Sequence, residues 1–412
     1  MSYMKKRRSI ILLLILSLVF SGISLPAGGV INVYAAGISN VYLSPDSLNL
    51  SVDQSEHVSI ITTPANAYYA ISVSYGTSAC KVSLDESGMT VTGTGVGSSS
   101  VQVKITDQEN TTYSLTLDVT VSGSGVKKRT KKQIRNYIKK NKISFDALPE
   151  YSSKPSTSAP YSAGKLKKST QKSALKTLKS VRYIAGLDAG TRLDSGQCKL
   201  AQAASVVNAA NGSLSHTPSK SAGMSEDLYK QGYEGASSSN IAWGFRSLNN
   251  TIIHGWMADD DESNIDRVGH RRWMLNPTMG STGFGMAGTF SAMYSFDQSC
   301  QDFRENVMWP AQVMPIEYFD DHYPWSVSTG RVLDPNKVKV TLTRISDKKK
   351  WTFSAGSKGS GYFNVNNAGY GLQGCIIFRP DGIHYKNGDK FKVKITGLPT
   401  GKLEYKVEFF DL

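Results

Sequence analysis

The sequence contains few of the residues and motifs that usually mark a chemical site. Its 412 residues include only four cysteines and six histidines. The cysteines occur singly, so the sequence predicts neither a disulfide scaffold nor a C-x-x-C metal motif. We interpret them as small buried residues, with one long-range disulfide left open: Cys80, Cys198, Cys300 and Cys375. G-x-S-x-G, H-E-x-x-H and phosphate-cradling glycine patterns are also missing, which removes the commonest hydrolase and nucleotide-binding signatures.

Long hydrophobic runs are equally scarce, because only SIILLLILSLVF at residues 9–20 qualifies. It follows the basic residues 5–8 and precedes small residues that end at Ala35. This order predicts a signal peptide over 1–35, cut after Ala35, and a secreted or wall-associated protein. A single membrane anchor is the alternative, although the run is short for a span of about 20 residues.

Acidic residues are nearly absent from one stretch of the chain. The formal net charge is +14, and residues 125–170 hold thirteen lysines and arginines against Asp146 and Glu150. We expect 124–167 to be a basic Ser/Pro-rich linker, with a short helix in KKRTKKQIRNYIKKNK and a mobile SSKPSTSAPYSAG. It suits polyanions, such as cell-wall polymers or anionic lipid, or it is simply solvated. It lacks the interleaved aromatic residues that would favour nucleic acid.

Alternating apolar and polar residues indicate two β-rich regions. Residues 38–123 contain several such runs separated by turn residues, which predicts a β-sandwich. Within them GMTVTGTGVGSSSVQVKIT resembles the bacterial Ig-like group 2 module. Alternation returns in 304–412 and predicts a C-terminal β-sandwich; one face carries Val338/Val340/Leu342, Phe391/Val393/Ile395 and Tyr405/Val407/Phe409.

Between these regions, residues 168–303 have helical spacing. Leu175, Leu178, Val181 and Ala185 predict a helix that ends near Gly186. CKLAQAASVVNAANG predicts an alanine-rich helix that ends at Gly212, packed closely against a neighbour. GHRRWML predicts a short helix, and STGFGMAG a short strand.

Half of the histidines lie in this region, at His216, His254 and His270, with carboxylates nearby. Two imidazoles and two carboxylates in one cleft can hold a divalent metal or position a water for proton transfer. The alternative is that these histidines are hydrogen-bonded core or cap residues. Residue types alone do not separate the two.

The order of motifs adds a resemblance. A helix pair with an AQ-A stretch, then LSHTPS, SNIAWG, GW, GHRRW and GFGMA is similar to the CAP superfamily of cysteine-rich secretory, antigen 5 and pathogenesis-related-1 proteins. The similarity is stronger to its bacterial secreted branch. It implies an α-β-α sandwich with a cleft that contains two histidines and two acidic residues.

The resemblance assigns the cleft histidines to His216 in LSHTPS and His270 in GHRRWMLNP. Where the family has Gly-Glu-Asn this chain has Ser238-Ser239-Asn240, so the first acid becomes Glu234, and Asp259 is the second, with Asp260 and Glu262 as competitors. These four residues are the candidate catalytic and metal-binding set, and zinc or another divalent metal is the cofactor left open.

Other expectations concern the surroundings of His270. We expect Gly269 to let the chain turn, Trp273 and Leu275 to pack inward, and Arg271 and Arg272 to face solvent, with pairing to the acidic run as the alternative. Four aromatic residues are expected in the core rather than as a ligand platform: Trp243, Phe245, Trp256 and Trp273. The alternative is that tyrosine and tryptophan near the cleft rim stack on a sugar or lipid. EYFDDHYPWS is expected to contact the cleft edge.

Together these observations predict a multidomain α+β protein with three parts: an Ig-like β-sandwich, an α-β-α sandwich and a C-terminal β-sandwich. The expected function is binding of an envelope or host-surface ligand, a cell-wall polymer, carbohydrate or lipid, through the cleft. A metal-assisted, peptidase-like hydrolase and an architectural wall protein with a vestigial cleft are the alternatives.

Overall fold

The computed structural model describes residues 3–5 and 37–412, except 53, 66, 77, 78, 86, 96, 123, 124, 188, 189, 301, 303, 358 and 359. The signal-peptide prediction for 1–35 lies outside the described residues apart from 3–5. The chain divides into two compact units, Met1–Ser124 and Gly125–Leu412. No helix among the described residues is long and apolar enough to cross a membrane.

The first unit is a β-sandwich, as the alternation predicts. One sheet has the order β1-β5-β8-β9-β3 and the other the order β2-β4-β7-β6. Both sheets contribute to one hydrophobic core, with Val58, Val91, Val103 and Leu117 fully buried. The Ig-like assignment of this sandwich stays a prediction. Its strands are β1 (Tyr3–Lys5), β2 (Asn40–Ser44), β3 (Ser47–Ser51), β4 (Ser55–Thr63), β5 (Tyr69–Ser74), β6 (Cys80–Leu84), β7 (Gly88–Gly93), β8 (Gly97–Asp107) and β9 (Thr112–Ser122).

The second unit begins with the basic segment, which is folded rather than extended. It forms α1 (Lys131–Asn141) and a hairpin of β10 (Tyr151–Ser153) and β11 (Lys165–Leu166). Ile134 is fully buried in the core of this unit, and Phe145 packs against the same core. The sequence suggests a mobile linker here, whereas the segment contains a helix and a hairpin. The difference arises because the dense lysines obscure the apolar residues that anchor the segment.

A three-layer domain follows. Its elements are α2 (Lys168–Ile184), β12 (Arg192–Leu193), α3 (Ser195–Asn211), α4 (Glu226–Ser237), β13 (Ser239–Ala242), α5 (Leu248–Asn250), a π-helical turn (Thr251–Trp256), α6 (Gly269–Met274), β14 (Ser281–Thr282), β15 (Phe284–Ala287) and β16 (Phe290–Tyr294). The ends of α2 and α3 agree with the prediction, since Gly186 and Gly212 have φ of 82° and 65°, the left-handed region that glycine adopts without strain.

The central sheet, in the order β13-β16-β15, has helices on both faces. Successive strand residues point to opposite sides. Ala292 accordingly packs with Ala201 and Ala204 of α3, whereas Met293 belongs to the core that contains Leu178 of α2. The expected alanine-rich interface therefore lies between α3 and the sheet.

The C-terminal region consists of two further sheets. They have the orders β17-β19-β23-β22 and β18-β25-β24-β20-β21. Trp325 on β19 lies against Phe391 on β24 with ring centroids 5.8 Å apart, so the sheets share one core. Their strands are β17 (Val307–Trp309), β18 (Val313–Pro315), β19 (Trp325–Ser328), β20 (Lys339–Arg344), β21 (Lys350–Ser354), β22 (Gly361–Asn366), β23 (Cys375–Pro380), β24 (Lys390–Leu398) and β25 (Gly401–Phe410), with a 3-10 turn at Ile316–Tyr318.

The strand registers place the predicted apolar positions opposite one another. Val340 pairs with Ile395, and Val393 pairs with both Leu342 and Tyr405. The multidomain α+β architecture is thus confirmed, and the boundaries at 123, 167 and 303 stay predictions. All four cysteines are free.

Candidate functional site

A pocket of about 500 Å³ opens in the second unit. Its wall is built from the loop after α3, strand β13, the π-helical turn, the acidic turn at 259–264 and the start of α6. His216, His270 and Asp259 all line it, so the structure brings three of the four predicted site residues together. His254 lines it as well.

His270 and Asp259 form a hydrogen-bonded pair at the base of this pocket. Nδ1 of His270 lies 2.7 Å from Oδ1 of Asp259, whose side chain is 1% exposed. The other carboxylate oxygen accepts the backbone N–H of Arg271 at 2.9 Å. A carboxylate that accepts from Nδ1 fixes the tautomer of a neutral imidazole, so Nε2 is left as an acceptor at the pocket.

The backbone just before His270 is strained. Val268 has φ of 42°, a left-handed conformation that a β-branched residue rarely adopts. Its fully buried side chain packs with Cys375 and Ile377 of β23, and this packing holds the strained conformation in place. The expectation that Gly269 lets the chain turn is wrong: a Cβ there would meet Tyr370 Cδ1 at 3.0 Å, so this glycine permits a close contact instead.

His216 is oriented by the main chain. Its Nδ1 lies 2.7 Å from the carbonyl oxygen of Ala236 at the end of α4. A carbonyl only accepts, so Nδ1 carries the proton and Nε2 of the neutral ring is an acceptor. Among the described residues, no hydrogen-bond partner is found for Nε2 of either His216 or His270.

His254 connects the pocket to the C-terminal sheets. Its Nδ1 is 2.9 Å from the hydroxyl of Tyr323, and Phe145 meets its ring edge-on. Burial lowers the pKa of His254, with Asp320 and Asp146 acting in the opposite direction. The predicted contact of EYFDDHYPWS with the cleft edge is observed here.

The acidic turn supplies two further carboxylates with different environments. Burial raises the pKa of Asp260, and the neighbouring Asp261 adds to this shift. Burial also opposes ionisation of Asp261, but hydrogen bonds from Ser263 and Asn264 outweigh it and lower the pKa of Asp261. The pocket wall is therefore acidic on this side.

Aromatic rings complete the rim. Trp243 is 60% exposed at the pocket and stacks with Phe290 at 5.8 Å. The expectation that Trp243 is a core residue is thus wrong, because it follows the end of β13, where the chain leaves the sheet. Trp256 is fully buried as expected, while Trp273 is only partly buried and lies against the exposed Phe296.

Glu234 does not join the other three predicted residues. It is exposed on α4 and does not line the pocket, because Gly235 and Ala236 face α3 instead. Both oxygens of Asp259 are already engaged. Within the described part of the chain, no three His, Cys, Asp or Glu side chains are grouped to hold a metal. The donors present do not fit the predicted zinc set.

The two arginines after His270 are buried, so the expectation that they face solvent is wrong. Arg271 donates to the carbonyl oxygens of Met257, Ala258 and Pro324 and to Ser326 Oγ. Arg272 donates to Asn366 Oδ1 and to the carbonyl oxygens of Ala368 and Leu372, among others. Burial lowers the pKa of Arg271 to about 10, while Asp259 acts in the opposite direction. Both side chains fasten α6 to the C-terminal region.

The fold and pocket define a helix–sheet–helix domain with a cleft lined by histidines and carboxylates. Comparison with known families agrees: residues 181–301 match the model of the cysteine-rich secretory protein family, CAP. This match supports the CAP superfamily for that segment of the chain. It begins within α2 and reaches the end of the central sheet.

Two other comparisons add little. No curated protein matches the chain. A solved structure, described as "Structure of surface layer protein SbsC, domains 4-9", is similar at 10% identity over 91% of this chain, with a TM-score of 0.18. The chain spans 31% of that structure's length, and a similarity this low supports no conclusion about fold or function.

Proposed function

We propose that this chain is a secreted or cell-surface protein of the CAP type that binds an envelope or host-surface ligand in the pocket around His270. The observation that carries the proposal is the arrangement of acceptor nitrogens and carboxylates beside an exposed tryptophan. Pockets that combine convergent polar groups with aromatic surface are the usual ligand sites of proteins.

The chemistry of the wall favours a neutral, hydroxyl-rich ligand such as a carbohydrate. In the neutral form of each ring, Nε2 of His216 and Nε2 of His270 can accept hydrogen bonds, and so can the carboxylates of Asp260 and Asp261. Hydroxyl groups donate to such acceptors, whereas an anionic ligand would be repelled by the acidic turn. Trp243 offers an apolar ring face for the less polar side of a sugar ring.

The metal-assisted hydrolase is less well supported, because Glu234 lies outside the pocket and each oxygen of Asp259 already accepts a hydrogen bond, one from His270 and one from Arg271. In the proposed site Asp259 positions an imidazole through a hydrogen bond to Nδ1. We therefore expect chelation to leave ligand binding unchanged.

The proposal is tested by calorimetric titration of the full chain with soluble glycan fragments of bacterial cell wall. Trp243→Ala removes the ring platform, and we expect affinity to fall roughly tenfold. Tyr233→Ala is the matched control, since this aromatic is 40% exposed on α4 and does not line the pocket. Glycan binding that is equal in the wild type and Trp243→Ala, or no binding of any fragment, would contradict the proposal.

A further inference from the structure

Three lysines form a row along one side of α2. Lys168, Lys172 and Lys176 follow one another at intervals of four, which places them on the same side of the helix, and all three are exposed. Successive members rise about 6 Å along the axis. Ala174 and Leu178, on the opposite side, are fully buried in the core. The helix therefore presents its row of charges outward, away from the core.

Helix α1 contacts α2 and carries a second group of exposed lysines. Ile134 anchors α1 in the core, and Tyr137 stacks on Tyr183 of α2 with ring centroids 4.1 Å apart. Tyr183 lies seven positions after Lys176, two turns further along the same side of α2. Lys132, Lys139 and Lys140 are exposed on α1. We call these three, with Lys168, Lys172 and Lys176, the lysine face.

The lysine face is not neutralised by the protein itself. Within the described ranges none of its six lysines forms an ion pair, in contrast to Lys131 with Glu408 at 2.8 Å and Lys167 with Glu150 at 3.5 Å. Residues 125–182 contain only two acidic residues. Ordered helices hold these charges in place, so a ligand does not have to order a flexible tail in order to bind.

We propose that the lysine face binds a flexible phosphate-bearing polyanion, such as a phosphodiester-linked polymer of a cell surface. A row of point charges on flexible stems suits a chain of phosphates that need not be held in one rigid geometry. A membrane surface fits less well. Helices that lie on lipid bury an apolar side in it, whereas the apolar sides of α1 and α2 are already buried in the core. This surface shares no residue with the pocket around His270.

The test is binding of the full chain to long-chain inorganic polyphosphate over a range of salt concentrations. For flexible polyanions each phosphate contact contributes about 0.7 to the slope of log K against log salt. One contact is then worth roughly fivefold in affinity at 0.1 M salt. The triple variant Lys168→Gln/Lys172→Gln/Lys176→Gln should reduce the slope by about 2 and affinity by up to roughly a hundredfold. The triple variant Lys132→Gln/Lys139→Gln/Lys140→Gln should behave alike.

The control is Lys386→Gln/Lys394→Gln/Lys406→Gln, which removes the same charge from exposed positions near and on β24 and β25. It should leave the slope within a few tenths of the wild-type value. An equal loss in this control would overturn the proposal, because binding would then depend on net charge alone. Salt-sensitive binding to phosphatidylglycerol vesicles without binding to polyphosphate would also overturn it, in favour of a lipid surface.

Discussion

The burial of Arg271 provides the sharpest test of how the pocket is built. Its guanidinium donates to three backbone carbonyls and one hydroxyl, with Nε to Met257 O at 2.8 Å and Nη2 to Ala258 O at 2.6 Å. The other two acceptors, Pro324 O and Ser326 Oγ, belong to the C-terminal region. Arg271→Met keeps much of the apolar stem and removes every one of these donors.

The magnitude follows from the groups left behind. A buried acceptor that loses its donor costs about 1–3 kcal/mol, so four of them would cost roughly 4–12 kcal/mol if none relaxed. Removing the buried charge also removes its own desolvation cost, which offsets part of this loss. We expect a net decrease of about 4 kcal/mol in the free energy of unfolding of the second unit, or about 10 °C in Tm.

Tryptophan fluorescence during urea unfolding is the appropriate assay. All six tryptophans lie within Gly125–Leu412, so the signal reports on the second unit. Arg267→Met is the control, because Arg267 makes a surface ion pair with Asp266 that is worth at most about 1 kcal/mol. If Arg271→Met unfolded within 1 kcal/mol of Arg267→Met, the account of Arg271 as the fastening between α6 and the C-terminal region would be refuted.

Two further predictions concern the hydrogen-bonded carboxylate of Asp297 and the close contact between α3 and α4. Although partial burial opposes it, hydrogen bonds from Ser281, Ser299 and Gly280 lower the pKa of Asp297 to about 2. Its contribution to stability is therefore present above about pH 4 and is lost as pH falls towards 2. Between pH 5 and pH 2 the free energy of unfolding in urea should fall by about 1 kcal/mol less in Asp297→Asn than in the wild type. Gly235→Ala would place a Cβ 2.1 Å from the carbonyl oxygen of Leu200 in α3, so it should destabilise the second unit by about 3 kcal/mol in urea, whereas Gly190→Ala, with open space around it, should not.

Local rules were sufficient for much of the fold. Helices α2 and α3 end at Gly186 and Gly212, which the sequence identifies, and the alternating segments pair in registers that bury their apolar faces. These features depend on neighbours a few positions apart, which is the range over which periodicity and capping operate.

The errors arise where distant parts of the chain meet. From the sequence, Arg271 and Arg272 are expected to be solvent-exposed, because charged side chains are rarely buried unless partners compensate for the loss of water. Those partners are mostly carbonyls of segments up to 100 positions away, which a linear pattern does not show. Gly269 was expected to carry the turn, yet Val268 does so, held by residues of β23.

The candidate site was predicted in part. The motifs placed His216 and His270 at one pocket, and Asp259 appears there as the partner of His270. Glu234 is a candidate because it precedes Ser239 by a helical turn or so, but the helix surface that it occupies faces solvent. The sequence favours the core for Trp243, although its position directly after a short buried strand indicates where the chain emerges.

The packing of β23 on Val268 has a consequence for anyone mapping ligand recognition in this protein. Cys375 and Ile377 pack against Val268, two positions before His270. Tyr370 lies against Gly269, the residue between Val268 and His270. Conservative changes in that distant sheet should therefore alter affinity without altering any atom a ligand can touch. A screen for binding variants would be expected to recover positions more than a hundred residues beyond the histidine they influence.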